Sequence, residues 1–240
     1  MNILGFALKK KYILWLYLFL FATLADIALI IERSEEYRFF TKPAILLGLI
    51  LYFYQLSRPI AQTLLSKSIL AALIFSWIGD ILLLWPDLLI YGLGAFLIAQ
   101  SCYIIGFKVA RFHPGQVGSV NFVRIFFSNL PIYFIAAFIF YMINTNLGGL
   151  KIPVAIYMIA VVSMLTMAKE RYKNTSGESF WQVFLGASLF FISDTVIALS
   201  LFYKDFPESG IIIIGTYATS QLLIVMGIRS HIINPKKNEA

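Results

Sequence analysis

Charge is what this sequence has least of. Asp, Glu, Lys and Arg make up 13% of its 240 residues, where a soluble domain carries about 25%. So few charges cannot cover a chain of this length with a water-facing surface, and its 60% hydrophobic content must face lipid. Cysteine is nearly missing too. Cys102 stands alone, which excludes an intrachain disulfide. The only histidines are His113 and His231, and no Cys/His cluster offers metal-ligand spacing. No metal and no other cofactor is therefore expected. A Gly-x-Ser-x-Gly elbow, a His-Glu-x-x-His helix and a P-loop are all missing, which argues against a serine hydrolase, a zinc peptidase and an ATPase. The net charge of +7 would suit nucleic acid. Its cations, however, sit at the ends of apolar runs, where membrane topology accounts for them, so no nucleic-acid partner is expected.

What the chain does have is long apolar runs. A helix needs about 20 mostly apolar residues to cross the hydrocarbon core. Eight stretches qualify: 12–31, 43–57 extending back over Lys42, 66–85, 88–110, 120–143, 152–169, 179–202 and 211–230. Their length excludes barrel strands, which alternate over about 10 residues. The expected fold is all-α: a polytopic membrane helix bundle of about eight transmembrane helices in one domain, 1–240. Pro43 and Pro153 are expected in first helical turns, Pro86-Asp87 in a tight turn, and Pro131 inside span five, kinking it. Lys9-Lys10-Lys11 before the first run resembles a signal peptide, but that run is long enough to span and no A-x-A site ends it. It reads as a retained first helix.

With the N-terminus inside, 14 of the 19 Lys and Arg residues fall in inside segments. That bias sets an N-in, C-in orientation, with both termini cytoplasmic, and suits a bacterial-type inner membrane. A possible internal repeat also emerges. Leu-Ile-Phe-Ser-Trp-Ile-Gly-Asp80 resembles Leu-Phe-Phe-Ile-Ser-Asp194, and Gln-x5-Gly follows each one helix later, at Gln100 and Gln221. The halves would be spans 1–4 and 5–8, a parallel 4+4 repeat.

Few ionisable residues lie inside spans: Asp26, Asp80 and Asp194, with Lys42 at the start of span two. A charge at the bilayer centre costs about 2.5–3.5 kcal/mol on the insertion scale, so such residues face the bundle interior and mark function. Asp26, near a helix end, can simply reach the interface. Asp80 and Asp194, flanked by apolar turns, are the stronger candidates. Gln100 shares a helical face with Tyr103, and Gln221 with Tyr217. Ser76, Gly79 and Asp80 form another face, and Ser193 adjoins Asp194. Two nearby carboxyl groups can act as one acid and one anion, the pairing of acid–base hydrolases. The same pairing suits a proton-coupled carrier, and a lipid-binding protein without catalysis is also compatible. The residues alone do not choose.

Five blocks resemble a known family. They are Thr-Lys42-Pro43, Phe-Ser-Trp-Ile-Gly79-Asp80-Ile-Leu-Leu, Gly94-Ala-Phe-Leu-Ile-Ala-Gln100-Ser-Cys-Tyr103, Gly186-Ala-Ser-Leu-Phe-Phe-Ile-Ser193-Asp194 and Tyr217-Ala-Thr-Ser-Gln221. In this order they resemble the YhhN family, also called the TMEM86 or lysoplasmalogenase family. The resemblance implies a hydrolase that cleaves the vinyl ether bond of a membrane lysolipid, the lysoplasmalogen, to fatty aldehyde and glycerophosphoethanolamine or glycerophosphocholine. In that light Asp80 is expected as general acid and Asp194 as the stabilising or base carboxylate, or the two exchanged. Lys42 is expected to bind the phosphate. Gln100, Tyr103, Tyr217, Gln221, Ser76 and Ser193 line the substrate site. Glutamine cannot shuttle protons, so Gln100 orients rather than transfers.

Overall fold

The computed structural model describes residues 3–111 and 122–233. His113, residues 120–121 of the expected fifth span, and the tail 234–240 lie outside the described residues. Eight α-helices follow in order: α1 Ile3–Ile31, α2 Arg38–Ser57, α3 Leu64–Leu82, α4 Leu89–Arg111, α5 Phe122–Ile143, α6 Lys151–Lys169, α7 Gly177–Phe202 and α8 Ser209–Ile233. All eight are long and apolar enough to cross a membrane, and no strand occurs among the described residues.

The helices pair as antiparallel hairpins. Along α3 and α4 the contacts run in opposite directions: Gly92 meets Leu83, Gly79 meets Phe96 and Gly106 meets Ile69. On α7 and α8 a Cβ at Gly186 would stand 2.8 Å from the Ser220 carbonyl oxygen, and one at Gly227 2.9 Å from the Val183 nitrogen. Small residues there let two backbones approach closely, the packing that holds helices together where lipid offers no hydrophobic drive. The buried cluster between the helices runs from Phe19 and Leu46 through Ile69 and Phe107 to Phe190 and Ile228. Helix α5 is peripheral. Its Phe127, Phe134, Phe138 and Tyr141 are exposed, as a lipid-facing helix requires.

Helix ends depart from the expected spans in informative ways. Helix α2 begins at Arg38, behind a 3-10 turn over Glu35–Tyr37, so Pro43 lies inside the helix rather than in its first turn. Its carbonyl is occupied instead, accepting from Trp77 Nε1 at 2.8 Å. Helix α3 stops at Leu82 rather than 85, where the Leu83 N–H bonds back to the Gly79 carbonyl. The chain then turns through Pro86–Leu88, as Pro86-Asp87 requires. Asp80 consequently sits in the last turn of α3. Pro153 is the third residue of α6, and Pro131 lies inside α5, which runs on to Ile143.

Candidate active site

The hairpins leave two faces to the bundle. One, the Asp87 face, carries the C-terminal ends of α1, α3, α5 and α7. The other, the Arg171 face, carries the α6–α7 turn. The buried carboxyl groups of the spans, Asp26, Asp80 and Asp194, lie towards the Asp87 face.

Asp80 on α3 is 4% exposed and accepts a hydrogen bond from the Tyr217 hydroxyl of α8 at 2.8 Å. Asp194 on α7 accepts from the Tyr157 hydroxyl of α6 at 2.7 Å. Each carboxylate thus takes its tyrosine from a different helix, and the two lie within electrostatic reach of one another. Below them, Tyr103 of α4 donates to Gln221 Oε1 of α8 at 2.5 Å. Gln100 is fully buried, yet neither atom of its amide has a hydrogen-bond partner. Tyr157 is its neighbour. Ser76 Oγ and Gln221 Nε2 are buried and equally unpartnered. An unsatisfied buried polar group costs about 1–3 kcal/mol. Several in one place describe a site shaped for water or for ligand oxygens. Ser193 stands apart from this network, its hydroxyl donating to the Ile213 carbonyl at 3.1 Å.

Lys42 lies within electrostatic reach of Asp80, Arg38 and Asp26. Asp26 points into the bundle. It is fully buried and receives Arg38 Nη2 at 3.2 Å, Arg38 Nε at 3.3 Å and Thr41 Oγ1 at 2.6 Å. A buried carboxylate needs such a partner set. This one clamps α1 to the start of α2, the turn of helix that carries Lys42.

An apolar cavity of about 60 Å³ adjoins Asp194 and Tyr157 between α4, α6 and α7. Leu201, 54% exposed, stands at its lipid-facing rim. Asp80 is not among the residues that line it. A wider apolar groove of about 520 Å³ runs between α5 and α6 and shares Met158 with the cavity.

The profile of the YhhN family matches residues 37–228. The chain belongs to that family. The matched stretch contains every polar residue of the site from Lys42 to Gln221. Among its relatives, lysoplasmalogenase TMEM86B of Sus scrofa is 26% identical over 163 residues, 68% of this chain and 64% of the relative. The lysoplasmalogenase of Mycobacterium bovis is 28% identical over 65% of this chain and 58% of its own. The membrane protein YhhN of Escherichia coli O6:H1 is 28% identical over 80% and 86%. The chain therefore spans less than two thirds of the length of the lysoplasmalogenases it matches. No solved structure matches.

Within this YhhN-family chain, Asp80, Asp194, Gln100, Tyr103, Tyr217, Gln221 and Ser76 converge from α3, α4, α7 and α8. Tyr157, Arg38, Thr41 and Phe96 share their neighbourhood without having been singled out by sequence. Tyrosine and phenylalanine in apolar runs read equally as core or interfacial belt. Only the contact to Asp194 separates Tyr157 from the other tyrosines.

Proposed function

We propose that this chain hydrolyses the vinyl ether bond of lysoplasmalogens, releasing a fatty aldehyde and glycerophosphoethanolamine or glycerophosphocholine. The observation that carries this reading is a pair of carboxyl groups inside an apolar bundle, Asp80 held by Tyr217 and Asp194 by Tyr157. Relatives named lysoplasmalogenase support it.

Cleavage starts with proton transfer to the β-carbon of the vinyl ether, while the ether oxygen lone pair moves in to form an oxocarbenium ion. Water adds to the α-carbon and loses a proton, giving a hemiacetal. The hemiacetal collapses to aldehyde and a glycerol hydroxyl, so one water is consumed and the catalytic proton is returned. The reaction needs an acid, a carboxylate beside the cation, and an apolar slot, the two-carboxylate logic of glycosidases. Asp80 and Asp194 divide the roles, one as the protonated acid and one as the anion. Asp80 is the general acid and Asp194 the carboxylate, or the reverse, since each has the same tyrosine support. The unpartnered groups of Gln100, Gln221 and Ser76 hold the water and glycerol oxygens, with Tyr103 and Tyr217 fixing Gln221 and Asp80. Lys42 meets the headgroup phosphate as a point charge.

The test is aldehyde release from synthetic lysoplasmalogen by purified protein in detergent, beside Asp80→Asn and Asp194→Asn. General acid–base catalysis contributes about 10²–10⁴-fold, and each variant should lose at least the lower figure while eluting as folded protein. Full hydrolysis by both folded variants would refute the assignment.

A further inference from the structure

The two carboxyl groups do not share one space. Asp194 and Tyr157 line the apolar cavity, and Asp194 keeps part of its surface open to it. Asp80 is buried and lies outside that lining. Phe96 of α4 stands at the boundary. Its ring lines the cavity on one side. On the other it lies on Gly79, where an added Cβ would be 2.6 Å from Phe96 Cδ2 and Cε2. It meets the ring of Tyr217, the partner of Asp80, edge-on with centroids 6.2 Å apart, and the Phe190 ring at 6.3 Å. The register adds to this. Tyr217 stands four residues before Gln221, and Phe96 stands four residues before Gln100. At the position where α8 offers a hydroxyl to a carboxylate, α4 offers a phenyl ring that can only fill space.

The cavity is also small. At about 10–15 Å³ of such volume per water, its 60 Å³ admits a few waters and not a long alkenyl chain. Something must move before an apolar chain reaches both acids, and the residue between them is Phe96. We propose that Phe96 is a positioning residue: a partition that separates Asp80 from Asp194 in the empty protein. The substrate's apolar chain displaces it and so brings both carboxyl groups onto one bond. This deepens the proposed hydrolysis and rests on it for its catalytic consequence, while the partition itself is a matter of geometry. Binding energy from the remote chain then assembles the catalytic pair, so a shortened chain loses turnover and not affinity alone.

Diazomethane, an apolar carboxyl-methylating reagent small enough for this cavity, tests the partition without any turnover. Full-length protein in detergent is treated with it, and adducts on the Asp80 and Asp194 peptides are followed by mass spectrometry. Asp194 should label roughly tenfold faster than Asp80 in the wild type, because burial behind the ring withholds the reagent. Phe96→Ala, with Phe96→Leu as the milder variant, should bring Asp80 close to the Asp194 rate. Phe53→Ala, which opens an equally buried site in the α2 core, should leave the ratio alone. Equal labelling in the wild type, or a ratio unmoved by both Phe96 variants, overturns the partition. Lysoplasmalogens of decreasing chain length test its consequence. In wild type kcat should fall with chain length, and in Phe96→Leu that dependence should flatten. A chain-length effect confined to KM, with kcat unchanged, overturns the positioning role. The labelling result stands whether or not aldehyde is released, so failure of the partition and failure of the hydrolase reading are separable.

Discussion

Gly79 precedes a buried carboxylate, and its missing side chain is where the Phe96 ring rests. Two effects of opposite sign compete in Gly79→Ala. Alanine in place of glycine favours a helix by about 1 kcal/mol, whereas forcing a methyl group into a filled space costs about 1–3 kcal/mol. Phe96 is held by Phe190 and Tyr217 and cannot swing aside freely, so the clash wins. Gly79→Ala should lower the midpoint of thermal unfolding in detergent, and adding Phe96→Leu should recover most of the loss. A stabilised single variant would show that the ring is mobile. At this scale sequence reading is strong where a residue is out of place. A carboxyl group in an apolar run is costly enough to mark Asp80 and Asp194 without any structure. It is weak where a residue is at home, and Tyr157 and Phe96 carry no such mark.

Between elements, the same contrast sets Asp26 beside Arg171. Asp26 has a cation, and its bonds to Arg38 and Thr41 join α1 to α2. Arg171, in the turn between α6 and α7, is fully buried, with no carboxylate at ion-pair distance among the described residues. Its Nη2 donates to Ser179 Oγ at 2.7 Å, its Nη1 to the Ser179 carbonyl at 3.3 Å, and its guanidinium lies 5.9 Å from the Phe107 ring centroid. Ser179 in turn donates to the Gly227 carbonyl on α8. Arg171 fills space at a three-helix junction at the expense of a desolvated charge, and that burial pulls its guanidinium down to about 9. An apolar side chain of similar volume should therefore serve as well or better. Arg171→Met should match or exceed wild-type stability, and Arg171→Ala should lose about 2–5 kcal/mol to the cavity it leaves. The pH sign follows from linkage. The unfolded chain binds this proton more tightly than the folded one, so wild-type stability should gain on that of Arg171→Met as pH rises through 9. A constant difference between pH 8 and 10.5 would contradict the buried charge. The helices themselves were legible from run length, but their ends were not. Residues 83–85 are as apolar as the span before them, and only the turn at Leu83 shows that α3 has already stopped.

Taken whole, the bundle sorts its charges by face. Arg58, Lys67, Lys108, Lys169, Arg171, Lys173 and Arg229 belong to the ends and turns of the Arg171 face, where Glu170 and Glu178 are the described acids. The Asp87 face mixes Arg33, Arg38, Lys151 and Lys204 with Glu32, Glu36, Asp87, Asp205 and Glu208. One exposed carboxylate of that face is locally anchored. Asp205 accepts from Ser200 and Ser209, bonds that hold its carboxyl below the usual range. Lys and Arg are retained on the cytoplasmic side during insertion, and acids contribute little to that choice. The Arg171 face is therefore expected in the cytoplasm and the site face outside. A headgroup would then reach Lys42 from the outer leaflet, with its chain entering the cavity beside Phe96 and Asp194. Alkaline phosphatase fused after Asp87 or after Asp205 should be active in a bacterial host, and fused after Asn174 inactive. Green fluorescent protein after Ile233 should fluoresce. The opposite pattern would turn the site towards the cytoplasmic leaflet, and the substrate would have to come from lipid made or remodelled on that side.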